Sequence, residues 1–211
     1  MTNLSVELFG EKLSNPIIPA SGTFGYGKEF ATAYDLSILG SISLKGCTVE
    51  ARYGNELPRI AECPMGMLNA IGLQNPSAKA VLEEEIPALR TIYGKKVVVN
   101  VGGHSFEDYE KACAVFNGCE DVLAIELNVS CPNVKGGGMA FGLDKDVLGE
   151  VVKRVKKATD RKVIVKLSPN VTDIVANAKA AEDNGADALS LINTLVGMRL
   201  DARTGKPILA T

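Results

Sequence analysis

The 211 residues, 46% of them apolar, suffice for a sizeable hydrophobic core and exclude a disordered chain. A net charge of −2, with both signs mixed along the sequence, argues against a nucleic-acid or anionic-membrane partner. No run approaches the roughly 20 apolar residues of a membrane span, and Met1-Thr2-Asn3-Leu4-Ser5 lacks the features of a signal peptide, so a cytoplasmic protein is expected.

Residues 4–15, with Gly10-Glu11 between two short extended runs, predict an N-terminal hairpin suited to plugging a barrel's bottom. Apolar runs at Ile17–Ala20, Ile42–Leu44, Val97–Val101, Val122–Leu127, Val163–Leu167 and Ala188–Ile192 predict strands. They are short and nearly continuous, as parallel strands covered on both faces are. Helices are predicted between most of them. Ser77 to Tyr93 has Ser77 as N-cap and Pro87 as a local disturbance. Ser105 to Asn117 opens on a capping box of Ser105 and Asp108. Asp144 to Thr159 and Thr172 to Asn184 are amphipathic, the last stopping before Gly185.

This alternation predicts an α/β fold. Polar residues cluster just after the strands, at Ser21, Lys45, Asn100, Asn128, Ser168 and Asn193, the edge that is catalytic in a (β/α)₈ TIM barrel. A doubly wound sheet is the alternative, but no G-x-G-x-x-G joins an early strand to a helix. Such a barrel needs about 250 residues. The expectation is therefore one domain over 1–211, a barrel with an N-terminal hairpin whose C-terminal βα units are missing.

The five cysteines include no C-x-x-C pair and read as free thiols. With a single histidine, His104, a multi-histidine metal site and a Cys–His dyad are both disfavoured. His104 reads as a surface or capping residue, and Cys47, Cys63, Cys113 and Cys119 as small hydrophobes. Cys131 differs, because it lies in a polar loop beside Pro132 and the run Gly136-Gly137-Gly138. A thiol there is a candidate general base or nucleophile.

Around it stand groups suited to a hydrogen-bonded ring. Ala20-Ser21-Gly22 permits close approach by a planar ligand or phosphate. Lys45-Gly46 sets a positive charge at a strand end. Asn69-Ala70-Ile71-Gly72-Leu73-Gln74-Asn75 reads as a loop of carboxamides, which match the alternating donors and acceptors of a pyrimidine or flavin, though turn chemistry alone explains such a loop. Asn100, Asn128 and Asn193 are poor strand residues at strand ends. Lys166, inside an apolar strand, is costly to bury without an anionic or polar partner.

These segments resemble the class 1 dihydroorotate dehydrogenases. The resemblance rests on Asn128-Val129-Ser130-Cys131-Pro132-Asn133, Asn69-Ala70-Ile71-Gly72-Leu73, Lys45-Gly46, Lys166-Leu167-Ser168-Pro169-Asn170 and Ile192-Asn193-Thr194, which occur in the family's order. Asn100-Val101-Gly102-Gly103 and Asn133-Val134-Lys135-Gly136-Gly137-Gly138 are similar to the NAD-linked type B catalytic subunits. The resemblance implies oxidation of dihydroorotate to orotate with FMN in pyrimidine biosynthesis. Cys131 would be the base and Lys45 would sit near substrate and flavin. Asn69, Ala70, Ile71, Gly72, Leu73, Asn128, Asn133, Asn193 and Thr194 would bind substrate. Ala20, Ser21, Lys45, Gly46, Asn100, Asn128, Lys166 and Ile192 would line FMN. It also implies a homodimer of catalytic subunits within a heterotetramer, whose second subunit carries FAD and a [2Fe–2S] cluster and passes electrons to NAD⁺. The alternatives are a dihydropyrimidine dehydrogenase-like FMN domain, which shares the Asn-x-Ser-Cys-Pro loop, and a non-catalytic barrel fragment.

Overall fold

A computed structural model of the chain describes residues 2–64, 66–130 and 141–209. The chain opens with a hairpin of β1 (Val6–Leu8) and β2 (Glu11–Leu13), paired antiparallel. Its two-residue turn, Phe9 and Gly10, has positive φ at both positions, the geometry that matches the twist of paired strands. Glu11 forms an ion pair with Lys96 at 2.7 Å, and Lys162 lies over the Phe9 ring at 6.0 Å. Lys96 immediately precedes one sheet strand and Lys162 begins another, so the hairpin lies against the amino edge of the main sheet.

That sheet is built, among the described residues, from β3 (Ser43–Cys47), β6 (Val97–Val101), β7 (Val122–Asn128), β8 (Lys162–Lys166) and β9 (Ala188–Ser190). The order is β3-β6-β7-β8-β9 and every pairing is parallel. Each new strand of the sheet adds beside the one before it, without the reversal that defines a doubly wound sheet. The architecture is of the TIM-barrel type, with the helices crossing between successive strands.

The expected strand at Ile17–Ala20 is extended but is not part of the sheet. Pro16 and Pro19 lack the N–H that a ladder needs. The segment still meets β3 and the residues leading into it through its carbonyls, where Ile17 O accepts from Gly40 N at 3.0 Å, ahead of the strand, and Pro19 O accepts from Ser43 N at 3.4 Å, at its start. It leads into the short helix α1 (Ser21–Phe24). A second antiparallel hairpin, β4 (Ile60–Cys63) and β5 (Gly66–Asn69), stands outside the parallel sheet.

The helical run from Ser77 is broken as Pro87 requires. It divides into α2 (Ala78–Ala80), a π-helical segment Val81–Glu85, and α3 (Ile86–Arg90). The widened turn accommodates the missing N–H and the ring of Pro87. The other α-helices among the described residues are α4 (Phe106–Ala114), α5 (Lys145–Ala158) and α6 (Ile174–Asp183). Ser105 caps α4 by accepting from Asp108 N at 3.1 Å, while the Asp108 carboxylate accepts from His104 N instead of closing a box on Ser105. Asp144 and Asp173 cap α5 and α6. Gly185, at φ 98°, follows α6 in a conformation suited to glycine.

The two faces of the sheet differ in chemistry. Val99, Val101, Ile125, Leu127, Val163 and Val165 alternate onto one face and are fully buried against Tyr109, Cys113, Leu148, Val152 and Val155 of α4 and α5. The opposite face carries Ser43, Asn100, Glu126, Asn128 and Lys166. An apolar outer layer thus fixes the strands, while the inner face is free to carry polar groups at its carboxyl edge.

Candidate active site

Strand register places the polar groups side by side. Asn100 pairs with Glu126 across β6 and β7, and Asn128 pairs with Lys166 across β7 and β8. Directly paired residues share a face, so Asn100, Glu126, Asn128 and Lys166 converge. Asn100 donates its Nδ2 to Glu126 Oε2 at 2.6 Å. Ser43 Oγ donates to the same oxygen at 3.3 Å, and Lys166 Nζ lies 3.6 Å from it. All four side chains are buried. The partner that Lys166 demanded is therefore Glu126, which reads in the sequence as one more position of the apolar run Val122–Leu127.

Hydrogen bonds extend this cluster to the next strand ends. Asn128 Nδ2 donates to Asn100 Oδ1 at 3.5 Å, and Asn193 Nδ2 donates to Asn128 Oδ1 at 2.8 Å. Asn193 is anchored by its own N–H, which donates to Leu167 O at 2.9 Å just beyond β8. Asn193 Oδ1 accepts from Thr194 N at 2.8 Å. From the helix side, Tyr109 Oη donates to Asn128 O at 2.8 Å and fixes the end of β7. The Tyr109 ring packs edge-on against Phe141 at 5.1 Å.

Lys45 and Gly46 sit where β3 shifts register against β6, between Leu44 and Cys47. The extra residue lets both Leu44 and Cys47 face the apolar outer core and bends the strand at its carboxyl end. Gly46 has no room for a side chain, because a Cβ there would lie 2.6 Å from Asn100 Oδ1. Leu73 approaches the same place, with a methyl 3.4 Å from that position and another 3.5 Å from the equivalent position on Gly102. Lys45 N donates to Gly25 O at 2.9 Å, which ties the Ser21–Phe24 helix to β3. Ser21 is buried, and Ala20 forms the extended entry to that helix.

The expected carboxamide loop is partly strand. Asn69 ends β5, is exposed and pairs with Ile60. Ala70 is buried and donates its N–H to Arg59 O at 2.8 Å, and Asn55 N donates to Ile71 O at 3.1 Å. Gly72 has φ 73°, and a Cβ on it would lie 2.7 Å from Asn55 Cγ. Ile192 is 44% exposed. The structure thus brings Lys45, Gly46, Leu73, Asn100, Asn128, Lys166, Asn193 and Thr194 to one edge of the sheet. Asn69 and Ile192 remain outside its hydrogen-bond chain. Cys131 and Asn133 lie outside the described residues.

Two of the other thiols, Cys47 and Cys113, are unsuited to base chemistry. Cys47 is fully buried, and burial pushes its thiol up to about 12. Burial likewise pushes the Cys113 thiol up. Ser130 Oγ is shielded from solvent and has no hydrogen-bond partner among the described residues. An orphaned hydroxyl beside Asn128, a side-chain-free Gly46, spare carboxamide N–H groups and a buried lysine fit a flat heterocycle with several ring carbonyls. A flavin is such a group, and so is a pyrimidine.

Comparison with known proteins points the same way. Residues 3–211 match the family described as dihydroorotate dehydrogenase. The chain is 56% identical over 210 residues to a protein of Anoxybacillus flavithermus named dihydroorotate dehydrogenase B (NAD(+)), catalytic subunit. That match covers 100% of this chain and 67% of the relative. Proteins of the same name from Geobacillus kaustophilus and Enterococcus faecalis are each 55% identical, over 210 and 207 residues. These matches cover 100% and 98% of this chain, and 67% and 66% of the relatives. The chain therefore spans about two thirds of the length of these relatives.

Proposed function

This chain belongs to the dihydroorotate dehydrogenase family, and on that premise we propose that it oxidises dihydroorotate to orotate in pyrimidine biosynthesis. The observation that carries the reading is the hydrogen-bonded series Asn100, Asn128 and Asn193 along the carboxyl edge of the sheet, with Lys166 buried beside it. In this architecture that edge holds the chemistry.

The flavin of the family is FMN in this reading, and bound FMN would supply the hydride acceptor. Ala20, Ser21, Lys45, Gly46, Asn100, Asn128, Lys166 and Ile192 would hold it. Lys166 is held by Glu126 at 3.6 Å and so keeps a fixed cation in a site shielded from water, where charge stabilisation is strong. The substrate's ring would be oriented by Asn69, Asn128, Asn133, Asn193 and Thr194. The segment from Ala70 to Leu73 would lie near its carboxylate, with Lys45 close to both rings. Cys131 would take the proton from C5 of dihydroorotate.

The relatives are named as catalytic subunits, which supports a second subunit for this protein too. We assign that partner an FAD and a [2Fe–2S] cluster and the task of passing electrons to NAD⁺, with catalytic subunits paired as a homodimer inside a heterotetramer. Among the described residues no helix is long and apolar enough to cross a membrane. We place the enzyme in the cytoplasm.

The test is turnover by the FMN-loaded protein with an artificial electron acceptor, comparing dihydroorotate with dihydrouracil. Oxidation of dihydroorotate that is abolished in Cys131→Ala supports the reading. Preference for dihydrouracil, or activity unaltered in Cys131→Ala, overturns it.

A further inference from the structure

We infer that Glu126 is a positioning residue that sets the amide of Asn100 and so aligns it with Asn128 and Asn193, completing an asparagine series that presents a surface of hydrogen-bond donors. This deepens the functional reading above and rests on it for the identity of the ligand.

Donors and acceptors decide the direction. An ionised carboxylate accepts and does not donate. Lys166, Ser43 and Asn100 all present donors to Glu126 Oε2. Asn100 must therefore turn its Nδ2 towards Glu126, because its Oδ1 would meet the carboxylate as a second acceptor. Asn100 Oδ1 then faces Asn128, which must present Nδ2. Asn128 Oδ1 is left facing Asn193, which must present Nδ2 in turn. The carboxylate thus decides the orientation of Asn100, and the backbone N–H groups of Ser130 and Thr194, which can only donate, hold Asn128 and Asn193 in the same sense, so that the three carboxamides run in one direction.

The consequence is chemical. Asn128 Oδ1 accepts from Asn193 Nδ2 and from Ser130 N at 3.2 Å, which uses both of its lone pairs. Asn193 Oδ1 accepts from Thr194 N and from Thr194 Oγ1 at 3.3 Å, which does the same. Each Nδ2 has two hydrogens and gives one to the series. What Asn128 and Asn193 have left to offer is N–H. A ligand that presents ring carbonyl oxygens is matched, and one that presents an amino group at the same place is rejected.

Two measurements test this. The first uses the apoprotein with ¹⁵N-labelled asparagine side chains. In Glu126→Gln the new amide can donate as well as accept, so Asn100 is free to turn over. The side-chain amide resonances of Asn100, Asn128 and Asn193 are all expected to shift together. A shift confined to Asn100 would overturn the directed series, whatever the ligand proves to be. Asn100→Ala, which cuts the series and leaves Glu126 facing Lys166, is expected to move Asn128 and Asn193 in the same way and serves if Glu126→Gln does not fold.

The second measurement is calorimetric binding to the FMN-loaded protein of orotate and of its analogue with an amino group in place of a ring carbonyl. The native protein is expected to favour orotate, and Glu126→Gln to narrow the preference about tenfold or more, the value of one hydrogen bond in a shielded site. Equal preference in the two proteins would overturn the donor-surface claim. Failure of the native protein to bind orotate at all would instead count against the functional reading and leave the resonance result standing.

Discussion

Gly46 and Asn100 are so close that a Cβ added to the glycine would lie 2.6 Å from the asparagine Oδ1. Asn100 cannot yield easily, since its Nδ2 is held by Glu126 at 2.6 Å. Gly46→Ala is therefore expected to destabilise the fold by about 1–3 kcal/mol, the ordinary cost of overpacking. It should also weaken FMN binding, because the displaced amide belongs to the same edge. Denaturant midpoints and a flavin titration of the variant check both effects. Native stability together with native flavin affinity would contradict the packing described for this edge.

Lys166 and Glu126 compensate each other in a buried site. Lys166→Met leaves the carboxylate without its cation and should cost about 3–5 kcal/mol. Lys166→Met combined with Glu126→Gln removes both charges and should recover a large part of that loss. Urea unfolding of the single and double variants reads the coupling directly. Strictly additive losses would mean that the two groups do not interact.

Gly72 offers a way to separate substrate from cofactor. Its φ of 73°, and the 2.7 Å that would separate an added methyl from Asn55 Cγ, make alanine unfavourable there. Gly72→Ala is expected to displace the Ala70–Leu73 segment, raise the KM for dihydroorotate about tenfold or more, and leave FMN affinity nearly native. Steady-state kinetics and a flavin titration make the comparison. A matching loss of flavin affinity would assign the segment to the cofactor instead.

His104 gives the fold a pH dependence of known sign. Arg52 Nη1 meets His104 Nε2 at 2.5 Å. Arginine has only donors, so the imidazole accepts there and is neutral. Burial first, and the Arg52 charge second, hold the His104 pKa below its ordinary value, with Asp108 opposing. The unfolded chain therefore binds this proton more readily than the folded one. The stabilisation is complete above the unfolded value of 6.5 and is lost as pH falls through the lower folded value. Between about pH 7.5 and about pH 5 the native urea midpoint should drop more than that of His104→Gln. Parallel pH profiles would exclude His104 as the source.

Much of the site was legible in the chain because strand ends betray themselves. Asparagine and lysine are poor fillers of buried strands, so Asn100, Asn128 and Lys166 stood out, and all three meet at one edge. Glu126 did not stand out, although the need of Lys166 for an anionic partner pointed towards one. Its role depends on register, which sets residue 126 beside residue 100 and cannot be read from periodicity within one strand. The β4–β5 hairpin was hidden for another reason. Its residues are largely exposed and its pairing is local, so Asn69 read as part of a loop. The bulge at Lys45–Gly46 was equally silent, since a register shift between Leu44 and Cys47 has no composition of its own. Ile17–Ala20 erred in the other direction. It is apolar and extended, but its prolines deny it a ladder.

The most direct test is a crystal structure of the FMN-loaded protein with orotate. The orotate ring is expected at the carboxyl edge of the sheet, with its ring oxygens about 3 Å from the Nδ2 atoms of Asn128 and Asn193. Orotate bound elsewhere, such as among Arg90, Lys95 and Lys96 at the opposite edge, would contradict this assignment of the site.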